Sequence, residues 1–363
     1  MFAETLALQN DTPERSLPQA PRLIRWVYTR IPQAWPALSQ YTRYRFECAL
    51  RSSAILGFIG LPTLGFHLET AFKQGQYSEA AALLWSFMLL IATIRYWLRP
   101  RALPLYVIGA FFALPDTVGF TNSGYLWQFI SWDIWPAPLR QGDWTGTIDW
   151  YWQMLSGQAW QGLWQTLLIS QLALFLTLLL VLLVYPLGTA KLAPAAARWP
   201  GKLLLLLMRS TPEMILAYLF LLLFGPSGLP AVLALAIHNG GLIGFLVAGK
   251  SQAEHLRAQS SSTQTAAIES PLLRYAYQET PNQLPAMLAW LFYRWEVILR
   301  ESAILGILGI ATLGFYIDSG FEEIRYDRAF FLIMVAASLN MLVDALSRRL
   351  RKLAEAGPAG REA

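Results

Sequence analysis

The clearest chemical signal in the chain is charge set inside apolar stretches. Ionisable side chains are costly within a membrane span, so they are functional candidates wherever they occur there. Glu47 and Arg51 stand four apart in one apolar stretch, and Glu296 and Arg300 stand four apart in another. That spacing lets an acid and a base pair on one helix face, acid first. Glu301 adds a further charge beside the second pair. Arg209 follows the apolar run Leu203–Met208 and precedes Pro212 and Glu213, and His238 and Asn239 follow AVLALAI. Two readings of these residues stay open. They are self-neutralised groups packed against other helices, or they line a path along which Arg209 with His238 helps to pass an anion.

Other chemistries find little support. Gly244–Ser251 reads GFLVAGKS and matches the GxxxxGK[ST] phosphate-loop pattern. That loop needs a strand before it and a helix after it, with backbone N–H groups around a phosphate. Here the interior residues end an apolar span and the lysine flanks it, so the match reads as coincidence. The sequence has no HExxH, no nucleophile–base set and one cysteine, Cys48. No catalytic residue, cofactor, metal site or nucleic-acid partner is expected.

The elements that must position these charges repeat. Tyr44–Phe66 reads YRFECALRSSAILGFIGLPTLGF and Tyr293–Phe315 reads YRWEVILRESAILGILGIATLGF. The offset holds beyond them: Arg25, Tyr28, Pro32 and Pro36 fall on Arg274, Tyr277, Pro281 and Pro285, and Tyr77 falls on Tyr326. One fixed spacing means two copies of a structural unit. Each copy sets a basic, proline-punctuated segment before a long apolar one. The apolar segments carry Gly57, Gly60 and Gly65, and Gly306, Gly309 and Gly314. Small residues let helix backbones approach closely in a membrane.

With 55% hydrophobic and 14% charged residues, against about 25% charged in soluble domains, the chain reads as an all-α polytopic membrane protein. A span needs ~20 mostly apolar residues, which gives about eight candidates, near 46–66, 79–98, 103–120, 165–189, 203–224, 229–248, 286–316 and 329–347. Lys and Arg crowd one set of loops (Arg15–Arg30, Arg95–Arg101, Lys191–Lys202, Lys250–Arg274, Arg348–Lys352) and are sparse in the other. The positive-inside rule makes the first set cytoplasmic, with both termini inside. Residues 121–163 form the largest outside segment, rich in Trp, and are expected to lie along the membrane surface. Residues 250–285 form the largest inside segment, with a short amphipathic helix ended by Pro281.

Three blocks carry a family resemblance. They are RSTPEMILAYLFLLLFG with GLPAVLALAIHNGGLIG, then LLRYAYQETPNQLPAMLAWLFYRWE, then RESAILGILGIATLGF. Together they resemble the permease subunits of ATP-binding-cassette importers of the phosphonate type. The coupling loop departs from the family's Glu-Ala and Gly near Ser262, Thr263 and Ile268–Glu269. The resemblance implies a type I importer permease fold in a bacterial inner membrane. It implies a periplasmic binding protein that delivers phosphonate or a related phosphorus oxyanion, and cytoplasmic ATPases that grip the coupling segments. On that reading Glu47, Arg51, Arg209, Glu213, His238, Asn239, Glu296, Arg300 and Glu301 belong to the translocation path. The six glycines serve gating and helix packing, and Arg25, Tyr28, Pro32, Arg274, Tyr277 and Pro281 couple to the ATPase. Residues 1–100 hold a partial first permease unit, 101–350 a complete second one and 351–363 a tail. The favoured expectation is a tandem fusion continuing upstream of Met1, and the other is a homodimer. A non-transporting scaffold derived from a permease is the alternative function.

Overall fold

A computed structural model describes residues 62–99, 102–113, 123–189, 192–225, 227–260 and 270–355, with Pro32, Trp35, Ser39, Thr42, Phe46, Ala49, Leu50 and Ser53. Arg25, Tyr28, Glu47, Arg51, Gly57, Gly60 and the departures at 262–269 lie outside the described residues. The chain is all-α, as its composition requires, and no strand occurs among the described residues. It divides into two compact units, Met1–Val118 and Gly119–Ala363.

In the first unit, α1 (Leu64–Lys73) and α2 (Tyr77–Ala92) form a hairpin. Gly75 takes φ +72 in the turn between them, a conformation open to glycine at no steric cost. Leu68 and Ala71 of α1 and Ala80 and Phe87 of α2 are buried. The candidate span 103–120 is seen only as α3 (Leu103–Phe112).

The second unit is built around one central helix. Its longer helices are α4 (Trp144–Gly188), α5 (Ala195–Ser210), α6 (Glu213–Phe224), α7 (Gly228–Ser260), α8 (Thr280–Ile304), α9 (Leu313–Glu322) and α10 (Tyr326–Glu355). By length and composition α4, α7 and α10 can each cross a membrane. The apolar window of α7 is 72% buried and that of α10 only 17%, so α7 is the core helix. It packs against α4, α5, α6 and α8. Val181 and Tyr185 of α4, Ile243 and Val247 of α7, and Met287 and Leu291 of α8 share one cluster. A Cβ on Gly241 of α7 would lie 2.7 Å from the backbone nitrogen of Arg209. Glycine there lets the end of α5 close on α7, and so fixes where Arg209 sits.

Four sequence expectations need correction. The span 203–224 is two helices, Ala196–Ser210 and Glu213–Phe224, at 92° to one another. Pro212 has no N–H to donate and disfavours a helical residue before it, and Thr211 is extended, with ψ 123. The span 286–316 is likewise broken. Helix α8 ends in a 3-10 turn at Leu305–Leu308, Gly309 takes φ +83, and α9 starts afresh at Leu313. A Cβ on Gly314 would collide with the carbonyl oxygen of Ala303, and one on Gly306 with the backbone nitrogen of Phe315. Glycine spacing that suits helix pairing here serves a chain reversal.

The third correction concerns the Trp-rich segment. Residues 144–163 are not an element of their own but run on into the apolar helix, through a π turn at Leu155–Ala159. No proline interrupts 144–185, and Asp143 caps the start, accepting from the Gly146 N–H at 3.1 Å. The fourth is Pro281. It does not end a helix but stands inside a continuous helical run, directly after a π turn, the kind of local adjustment that accommodates a missing N–H. Residues 271–304 are helical throughout, with a π turn at Tyr275–Glu279.

Candidate functional site

The right-angled break after α5 gathers three of the charges singled out in the sequence, Arg209, Glu213 and His238. Arg209 stands in the last turn of α5 and Glu213 begins α6, where it faces His238, midway along α7. The carbonyl of Thr211, freed by the break, faces His238 Nδ1 at 2.9 Å. A carbonyl oxygen only accepts, so Nδ1 carries the proton in that contact. Nε2 on the other side of the ring faces Glu213 Oε2 at 3.8 Å. The guanidinium of Arg209 stacks over the Phe245 ring, 4.4 Å from its centroid, an arrangement that stabilises a cation away from water.

A second polar chain starts one residue along α7. Asn239 is fully buried. Its amide donates to the Leu235 carbonyl at 2.8 Å, and its oxygen accepts from Arg294 Nε at 2.6 Å. Arg294 Nη2 reaches Glu301 Oε1 at 3.4 Å. The side chains of Arg294 and Glu301 keep 13% and 14% exposure, so the pair is nearly but not wholly enclosed. Glu301 Oε2 is buried without a hydrogen-bond partner. An unsatisfied buried acceptor costs about 1–3 kcal/mol, and removing one member of a buried ion pair about 3–5 kcal/mol.

These contacts join Glu213 to His238, and Asn239 to Arg294 and Glu301, from adjacent residues of α7, with Arg209 over Phe245 two turns further along that helix. Arg300 and Glu296 make the ion pair that their spacing allows, but the Arg300 side chain is 56% exposed and the pair stands apart. Arg294 is not among the sequence candidates, although it links Asn239 to Glu301. Its signal was present: the pair Tyr-Arg recurs at Tyr44–Arg45 and Tyr293–Arg294.

A separate set of buried polar contacts ties the proline-punctuated segment to the body of the unit. Glu279 accepts from Ser251 Oγ at 3.2 Å, and Gln283 donates to Glu254 at 2.5 Å. Tyr275 donates to the Leu182 carbonyl at 2.8 Å, and Tyr185 and Thr280 pair at 3.2 Å. The phosphate-loop look-alike is part of this fabric. It lies wholly within α7, its Lys250 pairs with Glu254 at 3.7 Å, and its Ser251 holds Glu279. The opposite face of the same segment is apolar and open, with Leu272 and Tyr277 each 75% exposed and Leu273, Pro281 and Leu284 beside them. Arg274 is half-buried. Glu279 and Gln283 gave no sequence signal, because isolated polar residues in a proline-punctuated segment look like surface.

The chain is similar to membrane subunits of phosphorus oxyanion transport systems. It is 30% identical over 152 residues to a phosphite transport system permease protein, PtxC, of Stutzerimonas stutzeri, covering 42% of this chain and 54% of that one. It is 25% identical over 343 residues to a phosphate-import permease protein, PhnE, of Mycolicibacterium smegmatis, covering 88% of this chain and 62% of that one. The chain thus spans between half and two thirds of the length of these relatives. No family model matches it. A solved amino acid ABC transporter structure aligns at TM-score 0.45 and 21% identity, covering 58% of this chain and 98% of that chain. The relatives are permeases, which agrees with the resemblance carried by the three sequence blocks, and the chain is a membrane protein.

Proposed function

We propose that the chain is the transmembrane permease component of an ABC importer that moves a phosphorus oxyanion (phosphite, phosphate or a phosphonate) into the cytoplasm. The observation that carries this reading is its likeness, over 88% of its length, to a phosphate-import permease. A type I importer permease fold is the architecture this implies. The cluster of Arg209, Glu213, His238, Asn239, Arg294 and Glu301 belongs to the translocation path. Two arginines held in low-dielectric surroundings attract an anion more strongly than they would in water, while two carboxylates keep the empty site near neutrality.

A cytoplasmic ATPase supplies the energy and a periplasmic binding protein delivers the ligand. The ATPase grips the open apolar face of Leu272, Tyr277 and Pro281, with Arg274 beside it; the corresponding segment of the first repeat holds Arg25, Tyr28 and Pro32. The buried contacts of Glu279 and Gln283 with α7 then carry the motion of that segment to the helix bearing His238 and Asn239. Residues 1–100 contribute the coupling segment and two helices of a first permease unit, and residues 101–350 the second. The protein sits in the bacterial inner membrane with both termini in the cytoplasm.

The test is uptake. The chain, co-expressed with its cognate ATPase and binding protein, should restore accumulation of phosphite, phosphate or methylphosphonate in a host lacking its own importers. Accumulation should vanish when the ATPase is inactivated. Failure with all three ligands, while the chain is inserted and still co-purifies with an ATPase, would turn the reading toward a non-transporting scaffold.

A further inference from the structure

We propose that Arg294 is a direct contact for the transported oxyanion, and that Glu301 is an internal anion that occupies Arg294 when no ligand is there. The inference rests on the permease reading above and adds a named pair and a competition.

Arg294 is held but not saturated. Asn239 fixes its Nε, and Glu301 meets its Nη2 at the long distance of 3.4 Å. Its Nη1 makes no hydrogen bond to any described residue. A guanidinium presents a planar fork that matches an oxyanion with two parallel N–H···O bonds, and Glu301 uses only one. Glu301 meets Arg294 with one oxygen only and at long range, while its Oε2 is buried with the Asn239 amide as its polar neighbour. A tetrahedral oxyanion can span Nη1 and Nη2 together, which a carboxylate anchored at this point of α8 does not do. Exchange of one anion for the other leaves the charge on Arg294 balanced throughout. Both side chains keep some exposure, so the pair is not sealed off.

The sequence supplies an independent observation. Arg294 recurs in the first repeat as Arg45, but the position of Glu301 holds Ser52 there. Were Glu301 a required partner for this arginine, both copies would need it. A carboxylate present in one copy alone fits a device that regulates access to the arginine.

The test uses the full chain purified into lipid nanodiscs, with inorganic phosphate and methylphosphonate as probes, each followed by the broadening of its phosphorus NMR line. Glu301→Gln should bind both probes about fivefold or more tightly than the wild type. Glu301→Ser, which copies the first repeat, should do the same and guards against a folding defect in the first variant. Adding Arg294→Gln to either should abolish binding. Equal affinity in wild type and both Glu301 variants, no binding in any of them, or binding that survives loss of Arg294, overturns the proposal. Uptake of phosphate by cells carrying the whole system is measured in parallel. Intact uptake with no effect of Glu301 on binding sinks this inference alone, and absent uptake by the wild type sinks the permease reading.

Discussion

Alanine at Gly314 sets a methyl group onto the carbonyl oxygen of Ala303. A carbon and a carbonyl oxygen ordinarily stay ~3.3 Å or more apart. The obstacle is backbone on both sides, since α8 and α9 are joined by only the short reversal through Gly309, so no side chain can swing away. Overpacking of a filled site typically costs about 1–3 kcal/mol, and with no rotamer to relieve it the upper end applies. About 3 kcal/mol is a ~150-fold shift in the unfolding equilibrium. Two companions calibrate the result. At Gly309 a Cβ meets nothing within 4 Å, but φ is +83, so alanine there should cost only about 1–2 kcal/mol. Gly249 lies inside α7 with open space around it, and alanine should stabilise by about 0.5–1 kcal/mol. The assay is the unfolding midpoint of each purified variant in mixed detergent and SDS micelles. The expected order of stability is Gly249→Ala, then wild type, then Gly309→Ala, then Gly314→Ala. If all three variants are as stable as the wild type or more so, residues 286–316 form one straight helix and the reversal is wrong.

Arg209→Ala should lower uptake of the transported anion at least about tenfold, the loss expected for one charge-assisted contact, while membrane insertion and expression are unchanged; normal uptake would leave Arg209 a packing residue over Phe245. With Cys48 replaced, single cysteines at Arg25 or Arg274 should react with an impermeant thiol reagent only from the cytoplasmic side, and labelling from the periplasm would overturn both the topology and the coupling role. The carboxyl of Asp143 is held below the usual carboxylate range, chiefly by the backbone N–H of Gly146 and then by the Thr145 hydroxyl. A depressed folded value means that its capping contribution is present above the ordinary carboxylate pKa and is lost as pH falls through the folded value. Amide exchange in the first turn of α4, corrected for the intrinsic rate, should therefore accelerate as the pH drops below ~4. The same measurement on Asp143→Asn should show no such step.

Much of this protein was legible in its residues. Sustained apolar runs with few charges set the all-α membrane class, because only helices or closed barrels satisfy the backbone in lipid. The repeat located the proline-punctuated segment and the Tyr-Arg pair, and rarity of charge within apolar runs pointed to Arg209, Glu213, His238, Asn239 and Glu301. Hydropathy could not locate the breaks at Thr211–Pro212 and Leu305–Thr312, since a window averages over a bend and both arms are equally apolar. Nor could spacing along one helix pair Arg294 with Asn239, or Glu279 with Ser251, because these partners lie on different helices. The tertiary structure decided which charges meet. It did so through glycines on α7 that admit the end of α5, and a proline that turns the chain at the point where Arg209 and Glu213 stand. A backbone that bends where its hydrogen bonds are interrupted brings buried charges together, and a linear sequence carries those interruptions without the distances that follow from them.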